Sequence, residues 1–119
     1  MPSLAQQRAA DAWEKAYAVD KAQIKDYANY AKGLPALMMN SGLMQVMAFL
    51  QQKGGLQAKI GEQLRQWLHQ RCNSPKDFTG FMTHAFTIEN ARDYQAMTTE
   101  ALAWLKWLRQ MATALQGEG

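Results

Sequence analysis

Cysteine, proline, histidine and β-branched aliphatics are all scarce in this chain, and each shortage excludes something. A single cysteine, Cys72, rules out an internal disulfide and suits a reducing compartment. Two histidines, His69 and His84, with that one cysteine are too few for a metal centre built on soft or imidazole ligands, and no cofactor is expected. Valine occurs only at 19 and 46 and isoleucine only at 24, 60 and 88, which leaves a sheet little material. Three prolines, Pro2, Pro35 and Pro75, each stand where a helix can begin. No apolar run approaches the ~18 residues of a membrane span, because Asn40, Ser41 and Gln45 interrupt the longest one. The start, Met1-Pro2-Ser3-Leu4, has neither a basic nor an apolar leader region, so the expectation is a cytoplasmic protein with no membrane partner. Gly54-Gly55 lacks the preceding strand and the following lysine-serine of a phosphate-cradling loop.

What is present is a globular composition. The 119 residues are 48% hydrophobic and 19% charged, enough for one helical domain over 1–119. The net charge of +3 is modest, but it is unevenly placed. Residues 33–76 carry Lys53, Lys59, Arg65, Arg71 and Lys76 against Glu62 alone, whereas residues 77–119 are net acidic. A polarised molecule can turn one positive face to a polyanion; a solvated surface with uneven charge has the same composition.

The periodicity is helical almost throughout. Ser3 is placed to cap a helix running to about 32, with Trp13, Tyr17, Ile24, Tyr27 and Ala31 on one stripe and Gly33 at its end. Pro35 opens the most apolar stretch, 35–53, which is apolar nearly all round and is expected at the centre of the bundle. Gly42 inside it costs a helix roughly 1 kcal/mol, so a second backbone is expected to cross closely there. Residues 56–71 form a one-faced amphipathic helix on Leu56, Ile60, Leu64, Trp67 and Leu68. Ser74 is expected to cap a short helix bearing Phe78, Phe81, Met82 and Ala85, and Thr87 to cap the last one, to about 116. The fold class is all-α, a compact single-domain bundle of five or six helices.

Catalytic constellations are hard to assemble from these residues. Asp11 with Glu14, and Glu89 with Asp93, share helical surfaces but read as solvent-facing partners of Arg8 or Arg92. His69 and Cys72, three apart, can form a thiolate–imidazole pair, though no third orienting group accompanies them. A binding surface is better supported. On a continuous helix over 13–32, Lys21, Lys25 and Lys32 fall within about 40° of one another. Such a ridge matches a phosphate backbone, and Lys53, Lys59 and Arg65 can extend it; a solvated lysine face carries the same pattern. Of four tryptophans, Trp13, Trp67 and Trp104 fall on apolar stripes, which argues against base stacking. Trp107 lies at a stripe edge and reads as a subunit contact.

The run Tyr30-Ala31-Lys32-Gly33-Leu34-Pro35-Ala36-Leu37-Met38-Met39-Asn40-Ser41-Gly42-Leu43-Met44-Gln45-Val46-Met47-Ala48-Phe49-Leu50 resembles the signature of the small helical subunit of the Cmr (type III-B) CRISPR effector complex. Glu100-Ala101-Leu102-Ala103-Trp104-Leu105-Lys106-Trp107-Leu108-Arg109 and Arg8-Ala9 are similar too, so the likeness spans the chain. Met38 stands where the family commonly has isoleucine, and Met44 where it commonly has glycine. The resemblance implies an all-helical, non-catalytic protein whose copies stack head to tail beside the guide-bearing backbone subunits. The large polymerase-like subunit then sits at one end, and the filament lines the channel where guide RNA and target RNA pair. It carries Lys32 over as an RNA contact; Lys21, Lys25, Lys53, Lys59 and Arg65 rest on charge and spacing alone. Trp107 and Met44 are the candidate subunit contacts. A filament needs two unlike faces per copy, and a duplex read by shape and phosphate needs no base-reading side chains. Two rival expectations remain open: an interaction module that bridges larger subunits with little RNA contact, and an enzyme using Cys72 and His69.

Overall fold

Each helix begins or ends on a local device that its sequence supplies. A computed structural model describes residues 1–118. In chain order the helices are α1 (Leu4–Tyr17), α2 (Ile24–Lys32), α3 (Leu34–Ser41), α4 (Leu43–Lys53), α5 (Gly55–Cys72), α6 (Phe78–Thr87) and α7 (Ala91–Glu118). Among the described residues there is no strand, and α3 with α4 counted as one bent helix makes six. Ser3 caps α1 as expected: its hydroxyl accepts from the Gln6 amide while the Gln6 side chain accepts from the Ser3 amide. Asp77, rather than Ser74, caps α6 by accepting from the Gly80 amide at 2.8 Å. Asn90, rather than Thr87, precedes α7 and accepts from the Arg92 amide at 2.8 Å; Thr87 ends α6.

Two expected helices are broken. The first stops at Tyr17, and residues 18–23 form a turn before α2, although no glycine or proline stands there. The break lets α2 lie on both α7 and α5, where the Tyr27 hydroxyl donates to Gln63 in the interior. The apolar 35–53 stretch bends at Gly42, whose φ of 84° and ψ of 170° belong to a region essentially reserved for glycine. The expected close crossing there is absent: a Cβ on Gly42 would meet nothing within 4 Å. Gly42 is required for its backbone angles alone.

The spine of the bundle is α7. Its 28 residues, at ~1.5 Å each, span about 42 Å, close to the 45 Å long dimension of the molecule. Helices α1, α2, α3 and α5 all pack on it, α4 packs on α5, and α6 closes the end formed by α4 and α5. Helices α3 and α4 do contribute to the core, through Leu34, Met38, Leu43, Val46, Met47 and Leu50. They meet Trp104, Leu105, Leu108, Leu64 and Leu68 there, all buried.

Candidate nucleic-acid interface

The buried charged groups are spent on holding helices together. Glu100 of α7, only 8% exposed, accepts from Arg8 of α1 through two bonds of 2.7 and 2.8 Å and from the Trp67 indole of α5 at 3.0 Å. The hydrogen bond from Arg8 holds the Glu100 carboxyl below its ordinary value, against the opposing effect of burial. Asp11 is likewise engaged, accepting from the Trp104 indole at 2.8 Å and from Lys15 at 3.2 Å. Arg8 and Asp11 are therefore structural, and the expectation that Asp11 faces solvent and pairs with Arg8 fails: Arg8 goes to Glu100, and Asp11 to Trp104 and Lys15.

The Cys72–His69 pairing fares no better. His69 Nδ1 is bonded to the Ser74 carbonyl at 2.9 Å. Burial, and then the Glu100 charge, push the Cys72 thiol upward, which favours the unreactive protonated form over a thiolate. Among the described residues, no group of three or more His, Cys, Asp or Glu is gathered as metal ligands. Among the described residues, no helix is long and apolar enough to cross a membrane.

The expected cationic track survives in pieces. Lys21 lies in the turn after α1, Lys25 in the first turn of α2 and Lys32 at its last residue, all exposed. One continuous helix does not carry the three, so the ridge contracts to Lys25 and Lys32. Seven residues apart on α2, these share a face about 10 Å long, with Lys21 just before it. Lys53 ends α4 and sits over the Phe49 ring at 5.5 Å, and Lys59 on α5 faces Glu62 at 3.7 Å with both side chains half in solvent. Among the described residues, Lys21, Lys25, Lys32 and Lys53 make no ion pair. Arg65 is the correction. It is 5% exposed, its Nε donates to the Lys76 carbonyl at 2.7 Å, and its guanidinium lies over the Phe78 ring at 5.8 Å. Buried in this way it ties α5 to the loop before α6, and it leaves the surface track.

The candidate subunit contacts sit at the margin of the core. Trp107 and Met44 are both half-buried against it. Met44 lines an open groove with Ile88, Tyr94 and Phe86, and Phe86 is 68% exposed. The main surface feature missed in the sequence is on α1. This helix buries its small residues, Ala12 and Ala16, and exposes its large ones, Trp13 and Tyr17, whose rings stack 5.7 Å apart. The i, i+4 repeat of Arg8, Ala12 and Ala16 was the available signal, but it is not one a hydrophobicity scale favours.

Fold and surface together define a small all-helical domain, with its buried charges committed to structure and Lys21, Lys25, Lys32 and Lys53 exposed and without an ion pair among the described residues. The family model described as CRISPR-associated protein (Cas_Cmr5) matches residues 4–115, and the chain belongs to that family. It is thus a subunit of the Cmr complex, as the resemblance of its central run implied. A solved structure, the X-ray crystal structure of a CRISPR-associated Cmr5 family protein from Thermus thermophilus, is similar with a TM-score of 0.77 and 27% identity. That similarity covers 97% of this chain and 98% of the other. No curated protein matches the chain.

Proposed function

We propose that this chain is a non-catalytic architectural subunit of a type III-B, RNA-targeting Cmr complex. Its copies stack into a small-subunit filament, and it touches guide RNA and target RNA through the phosphate backbone. The observation that carries the RNA part is the set of exposed lysines, Lys21, Lys25, Lys32 and Lys53, none committed to a carboxylate among the described residues. Lys59 joins them with its charge partly offset by Glu62. Point charges on flexible stems bind phosphates without reading bases, which suits a protein that must accept any guide sequence. The stacking part is supported by surplus apolar surface: Phe86 beside Met44 at one corner, and half-buried Trp107 on α7.

The test is RNA binding by the purified chain across a salt series, with Lys21/Lys25/Lys32→Glu beside the wild type. The wild type is expected to bind duplex RNA with a steep salt slope, and the triple variant to lose most of that affinity. Equal binding by the two proteins refutes the lysine track. Binding by neither, with the variant still supporting an active assembled complex, favours the alternative, a module that bridges larger subunits with little RNA contact.

A further inference from the structure

The geometry points to a stacking platform for an unpaired nucleobase, formed by Trp13 and Tyr17 on the outer face of α1. This deepens the RNA-binding reading above and rests on it, adding a preference for single strands that phosphate contacts cannot supply.

Three observations lead there. Trp13 and Tyr17 are 40% and 68% exposed, unusual for the largest side chains of a helix that instead buries Ala12 and Ala16. Their rings are already nearly parallel, 24° apart with centroids at 5.7 Å, so the pair presents a preordered aromatic face to solvent. Lys21 follows Tyr17 by four residues, in the turn, with Lys25 and Lys32 beyond it; Asp20 and Asp26 are the acids of that segment. A ring face followed four residues on by an exposed lysine suits a nucleotide, since the base stacks while its phosphate meets an ammonium group.

The size of the patch argues against a protein partner at this place. At 40% and 68% exposure the two rings offer about 200 Å². A stable protein interface needs roughly 800 Å² on each side. The residues around the pair on α1, Ala10, Glu14 and Ala18, are small or charged and exposed, so the apolar surface does not continue outward. One stacked base covers an area of this order. Aromatic faces accept every base, so the platform tolerates any sequence, as a guide-dependent assembly requires.

The experiment measures binding of the full chain to a single-stranded RNA dodecamer and to a blunt RNA duplex of the same length. The proteins are wild type, Trp13→Ala/Tyr17→Ala, Trp13→Phe and Lys21/Lys25/Lys32→Glu, each first checked for helicity and sedimentation. The expected result for the aromatic double variant is a loss of about 10-fold or more for the single strand, with duplex affinity and its salt slope unchanged. Trp13→Phe is expected to keep single-strand binding and to lose most of the tryptophan quenching that single-stranded RNA should cause in the wild type. The lysine variant is expected to lose both ligands. Single-strand binding by the aromatic double variant at wild-type strength overturns the platform and leaves the lysine track standing. So does an equal loss for both RNAs, or a wild-type self-association that the double variant abolishes. Failure of the wild type to bind either RNA overturns the platform and, with the lysine variant still supporting an active assembled complex, the RNA-binding reading as well.

Discussion

Replacing Glu100 with alanine removes one acceptor and strands two donors, one half-buried and one buried. Arg8 loses both of its bonds and Trp67, 3% exposed, loses its only partner for the indole N–H. Breaking a buried ion pair costs about 3–5 kcal/mol when the remaining charge cannot leave. The Arg8 side chain is 20% exposed and can swing toward water, which discounts that figure to roughly 1–2 kcal/mol. The Trp67 N–H has no such exit and adds about 1–2 kcal/mol. The expected total is about 3 kcal/mol. For 119 residues the unfolding entropy near the midpoint is about 250 cal/mol/K, so Tm should fall by about 12 °C. Glu100→Gln keeps one acceptor and loses the charge, and should lie between the two. Acid supplies an independent arm. The Glu100 carboxyl titrates below its ordinary 4.5 in the folded chain. Its contribution is therefore complete above that value and lost as pH falls through the depressed folded one. The gap between wild type and Glu100→Gln should be widest above pH 5 and close on acidification. Thermal melts read by circular dichroism across pH check both arms. A Glu100→Ala midpoint within about 3 °C of wild type at neutral pH, or a gap that widens in acid, refutes the reasoning.

Gly42→Ala should cost about 2 kcal/mol, lowering Tm by about 8 °C, through backbone strain at φ 84° alone. Gly33→Ala, at φ −86° with open space around its Cβ, should be neutral or stabilise by up to about 1 kcal/mol; equal effects at the two sites would remove strain as the explanation. Cys72 should react with iodoacetamide at neutral pH more slowly than a free thiol, with its rate rising only at higher pH than the free thiol's, and a rate matching or exceeding the free thiol's would contradict its burial.

The parts of the site that were legible in the sequence are those that depend on charge alone. Lys21, Lys25, Lys32, Lys53 and Lys59 are exposed, as lysines usually are. Arg65 was misplaced because its periodic position is shared by a surface cation and by a buried one that has found a carbonyl. What separates the two is the Lys76 carbonyl, eleven residues away across a loop. Trp13 and Tyr17 were misplaced for the opposite reason. Their hydrophobicity suggested burial, but α1 turns its alanine face to α7, and Trp104 reaches Asp11 across that contact.

Local pattern was sufficient for the all-α class, the Ser3 cap, the stop at Gly33, and the family. Each depends on spacing within one or two helical turns or on a contiguous run of residues. Tertiary structure alone decided four things: the break at 18–23, the role of α7 as spine, the burial of Arg65 and the clamp on Glu100. The break carries no glycine or proline, and the clamp depends on Arg8 and Glu100, 92 positions apart, finding one another. Periodicity reports that a helix has two faces. Which face is covered depends on the shape and hydrogen bonds of the partner it meets, and those are set only when the bundle closes.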